Sequence, residues 1–202
     1  MFDNVMGRKF MNKTFLYYLF VVFISVIFTQ AVWADSINFD DKIYNLKSRE
    51  ITKSNIIENE YFYNSDSKKS WTSMIEVQYF PDIKNPLKYS NDKDEMIEKN
   101  ERCVLLKLVQ NKKQDIAVIS YLENVSAGEK TYFVYNVCKY QKYQNKGMIA
   151  LRYAKRYDFL THNDIKNIAY EVRKINDEYM EKLIMLEIPD IVSSSDSKKK
   201  TH

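Results

Sequence analysis

The apolar and polar positions of this chain change their period near residue 160. Between residues 71 and 159 they alternate over several stretches, which is typical of half-buried strands. In Trp71–Phe80, for example, Ile75, Val77 and Tyr79 share one side of the predicted strand. Beyond residue 160, apolar residues recur every three or four positions, as in a helix with one buried stripe. Four further strands are predicted over Cys103–Val109, Ile116–Leu122, Thr131–Tyr143 and Met148–Phe159.

Capping residues mark the start of two helices. Asn85 is placed as the N-cap of a short helix with Pro86 at its first position, where a missing N–H costs nothing. Thr161 is placed as the N-cap of the long C-terminal helix, and Asp164 follows three residues later as in a capping box. The apolar stripe of this second helix is Ile165, Ile168, Ala169, Val172, Ile175, Tyr179 and Leu183.

The order of these elements predicts an α+β fold. We expect an antiparallel β-meander sheet over residues 71–190, with the short helix and the long C-terminal helix packed on one face. Residues 35–70 are expected to add N-terminal strands and loops. The loop at residues 145–147 is predicted to join the last two strands, with Gly147 in the left-handed conformation.

The first 34 residues have the pattern of an export signal. Leu16–Phe28 is a run of 13 residues without a charge, and it follows the basic residues Arg8, Lys9 and Lys13. Ala34 supplies the small residue that precedes a cleavage site. We therefore predict a cleaved signal helix over residues 1–34 and an exported, periplasmic or secreted, mature chain. A retained membrane anchor is the alternative. At the other end, residues 191–202 are predicted to form a disordered tail.

Charge and composition exclude several functions. Removing residues 1–34 takes away three basic residues and one acidic residue, which lowers the net charge from +4 to +2. A nearly neutral mature chain argues against a nucleic-acid partner. With 3 glycines and 2 histidines the chain lacks a glycine-rich phosphate loop and most histidine-built metal sites. We expect no cofactor, and no membrane contact after signal cleavage.

One stretch carries a family resemblance. Trp71–Val77 reads Trp-Thr-Ser-Met-Ile-Glu-Val and is followed by the short helix, the meander and the closing helix. Over roughly residues 60–188 this pattern resembles small exported bacterial proteins of unknown function, and the element order is similar to the PsbP/Mog1 group of α+β domains. The resemblance implies the fold. Because that group has no shared active site, it implies no functional residue.

Cys103 and Cys138 are the two cysteines of the chain. Export favours a disulfide between them. In the predicted meander, however, the strand Ile116–Leu122 lies between their two strands, which separates them by about 10 Å. That exceeds the roughly 7 Å that a disulfide spans between Cα atoms. Two inert thiols are the prediction, with a disulfide as the alternative.

The last predicted hairpin carries the best candidate binding face. Tyrosines alternate there with basic side chains, a combination that binds sugars, peptides or anionic polymers. Ordinary strand composition is the competing interpretation, since tyrosine favours strands. His162, at the start of the last helix, has no evident partner acid and is interpreted as a cap residue. The candidate face is represented by Lys139, Tyr140, Arg152 and Arg156.

These observations favour a non-enzymatic binding or accessory protein whose partner is an envelope or extracellular protein. Two alternatives stay open. The first is an inhibitor or immunity protein for an envelope hydrolase or toxin. The second is a secreted enzyme with a site of scattered acids and tyrosines, which would need two facing carboxylates in a cleft.

Overall fold

The computed structural model describes residues 35–128, 130–143, 146–159 and 161–189. The predicted signal over residues 1–34 and the predicted tail over residues 191–202 lie outside these ranges. Among the described residues, no helix is long and apolar enough to cross a membrane.

The described strands form one eight-stranded antiparallel sheet in the order β1-β2-β3-β4-β8-β7-β6-β5. Two meanders, β1–β4 and β5–β8, are joined where β4 pairs with β8. Because β1–β3 pair into the same sheet as β4, residues 35–70 extend the sheet itself. The strand bounds are Ser36–Phe39 (β1), Lys42–Ile51 (β2), Ile57–Tyr63 (β3), Ser73–Phe80 (β4), Cys103–Asn111 (β5), Ile116–Ala127 (β6), Lys130–Tyr143 (β7) and Gly147–Asp158 (β8).

Both predicted helix starts are confirmed. Helix α1 spans Pro86–Glu98, and the Asn85 side chain accepts a hydrogen bond from the backbone N–H of Lys88 at 2.9 Å. Helix α2 spans His162–Met185 and begins with the full capping box, in which Thr161 and Asp164 bond each other's backbone N–H. Each cap satisfies N–H groups that the first helical turn leaves without a partner.

The two helices lie on opposite sides of the sheet, so the expectation that both pack on one face is wrong. Along β8, Ile149 and Leu151 belong to the core cluster that contains α2, whereas Met148 and Ala150 belong to the cluster that contains Ile97 of α1. Successive side chains of a strand point to opposite faces. The central strands are apolar on both faces, and each face therefore needs its own helix as cover.

Tyrosine dominates the core beneath α2. Tyr44, Tyr61, Tyr135 and Tyr153 are fully buried. Buried hydroxyls need hydrogen-bond partners. The Tyr135 hydroxyl donates to Asn176 Oδ1 at 3.1 Å, and the Tyr44 hydroxyl lies 3.0 Å from Ser73 Oγ. The high tyrosine content is therefore used in large part for packing.

The turn between β1 and β2 contacts α2 through the Asp40 side chain. Asp40 and Asp41 both adopt positive φ, at 54° and 56°, as a two-residue type I′ turn requires. The Asp40 carboxylate accepts hydrogen bonds from the Tyr179 hydroxyl and the Lys182 ammonium, both at 2.5 Å. Burial raises the pKa of Asp40, but these two bonds outweigh burial and hold the pKa below its ordinary value.

Asp40→Asn should destabilise the protein more than Asp41→Asn. Both changes keep a residue that tolerates positive φ, and both remove one charge. Of the two aspartates, however, only Asp40 forms hydrogen bonds to α2. Hydrogen bonds to a charged group contribute about 1.5–3 kcal/mol, and partial exposure of Lys182 reduces this to about 1–2 kcal/mol. Urea unfolding at neutral pH measures the difference between the two variants.

The stabilisation that Asp40 provides should also depend on pH. A carboxyl with a lowered folded-state pKa stabilises the fold above its unfolded-state pKa, and that stabilisation is lost as the pH falls through the folded-state pKa. The wild-type advantage over Asp40→Asn should therefore shrink under acid conditions. An advantage that stays constant with pH would contradict the ionic role of Asp40.

Gly147 is not in the left-handed conformation, contrary to the sequence-based expectation. It is the first residue of β8 and pairs with Tyr143. A Cβ at this position would lie 2.3 Å from the carbonyl oxygen of Phe80 and 3.0 Å from Pro81 Cα. The close approach of the β4 end, rather than a positive φ, requires glycine here.

Gly147→Ala should therefore destabilise the fold by about 1–3 kcal/mol, as overpacking against backbone does. Gly128→Ala is the comparison, because Gly128 has φ +62° and open space around the position of a Cβ. Gly128→Ala should lower the free energy of unfolding by about 1–2 kcal/mol, because alanine is strained at this positive φ. Hydrogen exchange at the β4–β8 pairing should increase only in Gly147→Ala, and unchanged exchange there would contradict the steric explanation.

Candidate functional site

An aromatic patch lies on the sheet face that also carries α1. Helix α1 packs against β5, β6 and β7. Beyond these strands, toward β3, the same face carries a separate apolar cluster. We define the Trp71 patch as the half-buried Trp71, Val125 and Tyr132, lying over the buried side chains of Phe62, Met74, Val134 and Ala154.

Arg156 lies over the edge of this patch. Its guanidinium is 3.9 Å from the centroid of the Tyr132 ring, within the range of a cation–π interaction. Its Nε and Nη2 donate to Asp158 Oδ1 at 2.9 and 2.7 Å. Arg156 and Asp158 are both even-numbered positions of β8 and therefore share the face of the patch. The ring and the carboxylate together hold the guanidinium in one orientation.

A row of charged side chains crosses the sheet beside the patch. The strand register places Glu60 opposite Glu76, and Glu76 opposite Arg152. Lys68, from the connection after β3, lies 3.2 Å from Glu60 Oε2. Arg152 Nε donates to Glu76 Oε2 at 2.6 Å, and Nη1 donates to Asn136 Oδ1 at 3.3 Å. We call Lys68, Glu60, Glu76 and Arg152 the charged row.

Burial shapes the electrostatics of this row. The Glu76 side chain is 9% exposed and that of Arg152 is 32% exposed. Burial raises the pKa of Glu76, and the neighbouring Arg152 only partly offsets this increase. Burial alone would lower the pKa of Arg152, but the Glu76 carboxylate raises it above its ordinary value. The row has a cation at each end and two adjacent acids between them, so the charges of its four members sum to zero.

The structure divides the four predicted site residues between two faces. Tyr140, Arg152 and Arg156 lie on the α1 face, at even positions of β7 and β8. Of these, Tyr140 is buried beneath α1, with its ring 5.1 Å from that of Tyr89. Lys139 points the opposite way and donates to the carbonyl oxygens of Ile184 and Leu186, at the end of α2. Arg152 and Arg156 are thus the two that lie beside the Trp71 patch.

Glu60, Glu76 and Trp71 were not identified as site residues from the sequence. Glu76 occupies the polar side of an alternating strand, which predicts exposure to solvent, yet it is buried. Its partner Arg152 is 76 residues away in the chain. Only the strand register between β4 and β8 brings them together. The alternating pattern of Trp71–Phe80 predicts the place of Glu76 in a strand but gives no sign of its pairing with Arg152.

Both cysteines are free thiols in the structure. Strand β6 lies between β5, which carries Cys103, and β7, which carries Cys138, and the predicted strand order is confirmed. Burial raises the pKa of both thiols, which disfavours the reactive thiolate. His162 is the exposed first residue of α2. No group of three or more histidine, cysteine or acidic side chains able to hold a metal ion occurs among the described residues.

The fold and this surface define an α+β protein in which one antiparallel sheet lies between two helices. The chain belongs to an uncharacterised protein family, whose model matches residues 32–188. No curated protein and no solved structure matches the chain. The similarity to the PsbP/Mog1 group stays a prediction.

Proposed function

We propose that this chain is an exported, non-enzymatic binding protein that takes an envelope or extracellular protein as its partner on the Trp71 patch. The observation that carries the proposal is the Arg156 guanidinium fixed over Tyr132 at the edge of a half-buried aromatic cluster. Aromatic side chains and arginine are the residues most enriched at protein interfaces and among their energetic hot spots. Export rests on the apolar run Leu16–Phe28 and on Ala34.

The surroundings of the patch suit a preorganised interface. Arg156 is held by Asp158 and by the Tyr132 ring before a partner arrives, which reduces the entropy lost on binding. The charged row lies along one side of the patch, where the cations Lys68 and Arg152 are the more exposed members and Glu60 and Glu76 are buried. Charges at such a border favour one orientation of the partner more than they add affinity.

The partner surface is tested by crosslinking in the native host. A chain with a C-terminal epitope tag is crosslinked in cells, and the captured protein is compared between wild type and two patch variants, Trp71→Ala and Arg156→Gln. We expect each variant to lose about tenfold or more of the capture, a change of roughly 1.4 kcal/mol. Identification of the captured protein as a hydrolase or toxin would assign the chain as an inhibitor or immunity protein.

Tyr170→Ala is the matched control, because Tyr170 is an aromatic residue of α2 that is 74% exposed. Its capture should equal that of the wild type. Thermal unfolding of all variants separates loss of binding from loss of folding. Equal capture by the wild type and by folded Trp71→Ala and Arg156→Gln would overturn the assignment of the patch.

Export is tested separately by mass spectrometry of the protein isolated from its host. We expect the mature chain to begin at Asp35, after cleavage following Ala34. A full-length chain retained in the inner membrane would contradict cleavage and would favour the anchor alternative instead.

A further inference from the structure

Strand β5 forms one edge of the sheet, and none of the described strands pairs with its outer side. It spans Cys103–Asn111 and carries Lys107 as its only charged side chain. Val104 and Val109 are 59% and 40% exposed. An open edge with apolar side chains is a template for pairing with another strand, because its outward N–H and C=O groups lack partners.

A bulge at Leu106 sets which backbone groups of β5 point outward. The Asn124 N–H donates to the carbonyl oxygen of Arg102 at 2.8 Å. Hydrogen-bonded and non-bonded pairs alternate along an antiparallel ladder, so the even-numbered positions of β6 are those that bond β5. Leu105 and Leu108 lie opposite odd-numbered positions of β6, with Leu106 bulged between them. Both therefore direct their N–H and C=O groups away from the sheet.

The same bulge makes β5 complementary to itself about its middle, between positions 106 and 107. If a two-fold axis passes through that point, Leu105 of one copy faces Leu108 of the other, and each such pair exchanges two backbone hydrogen bonds. The side chains of both leucines lie on the α1 face. On the opposite face, Val104 of one copy then faces Val109 of the other. Each outward position thus meets an outward position, and each exposed valine meets a valine.

The charge at the middle of β5 does not oppose this pairing. Two copies would bring two Lys107 side chains close to the axis. The Lys107 ammonium, however, lies 2.8 Å from Asp177 Oδ1 of α2, so each cation is already paired within its own chain. All other side chains of the strand are uncharged.

We propose that two copies of this chain pair through β5 about a two-fold axis and join their sheets into one. The backbone hydrogen bonds at Leu105 and Leu108 set the register, and the contact between Val104 and Val109 buries apolar surface. No residue of the Trp71 patch lies on β5, so this interface is separate from the proposed partner site.

Cysteines introduced together at Val104 and Val109 test the register in protein purified from its host. Within one chain the two positions are about 15 Å apart along the strand, too far for a disulfide. Between paired copies their Cα atoms would be about 4.5 Å apart. Oxidation with diamide, which accepts the two electrons and two protons that each disulfide releases, should therefore give a covalent dimer of Val104→Cys/Val109→Cys.

The two single cysteine variants and the wild type, which keeps Cys103 and Cys138, are the controls for this crosslink. Each should stay monomeric on a denaturing gel after oxidation. A folded double variant that does not crosslink, or a single variant that crosslinks equally well, would overturn the proposed register.

Sedimentation equilibrium measures the assembly itself. We expect the wild type to be a dimer, and Val104→Glu to weaken the dimer by about tenfold or more, because it places a carboxylate against an apolar side chain of the other copy. Ile51→Glu is the matched control, since Ile51 is a β-branched strand residue that is 57% exposed and lies on β2. Thermal unfolding confirms that both variants fold. A monomeric wild type, or a dimer weakened equally by Ile51→Glu, would refute pairing through β5.

Discussion

Replacing Leu183 with alanine lowers the free energy of unfolding by about 2–5 kcal/mol, the usual range for a buried leucine. Leu183 is 0% exposed and lies in the core cluster between α2 and the sheet. Truncation removes apolar surface from the core and leaves a cavity that the sheet fills only in part. Because domains of this kind have a total stability of about 5–15 kcal/mol, the loss is a large fraction of it.

Met185→Ala is the matched control for this prediction. Met185 lies two residues further along the same helix and is 82% exposed, so its truncation should change stability by less than about 0.5 kcal/mol. Thermal unfolding measures both, with roughly 2–4 °C expected for each kcal/mol in a chain of this size. A Leu183→Ala melting temperature equal to that of Met185→Ala would mean that α2 does not close the core.

Arg152→Met has the second largest expected effect. It leaves Glu76 buried without its cationic partner, and breaking a buried pair in this way costs about 3–5 kcal/mol. Arg152 is 32% exposed, so water compensates in part, and we expect a loss of about 2–3 kcal/mol. The double variant with Glu76→Met should recover most of the loss, because an apolar pair leaves no uncompensated charge.

The pH dependence distinguishes this mechanism from simple loss of packing. Burial raises the folded-state pKa of Glu76 above its ordinary value of 4.5. Between the unfolded-state and folded-state pKa values the folded protein holds more protons, so stability falls as the pH rises through this window. Removal of Arg152 raises the pKa further and extends the fall to higher pH. Urea unfolding over a pH series measures it, and an Arg152→Met deficit that does not grow with pH would argue against a charge effect.

Some features could be predicted from the sequence because they depend on neighbours within four residues. The caps at Asn85 and Thr161 satisfy helical N–H groups two or three positions away, and both are confirmed. The stripe along α2 follows from helix geometry, and its buried members include Ile168, Val172 and Leu183. The connection between β7 and β8 leaves odd positions paired with odd positions, as expected.

The sequence by itself therefore determined the α+β class, the helix starts and the strand order β5-β6-β7-β8, since these follow from local capping, periodicity and short connections. Only the tertiary structure decided which side chains meet. Lys139 and Tyr140 are adjacent in the chain but lie on opposite faces, because successive residues of a strand alternate. Glu76 meets Arg152 through the β4–β8 register. The helices separate to two faces because the central strands bury apolar side chains on both sides, and no local pattern specifies which helix covers which face.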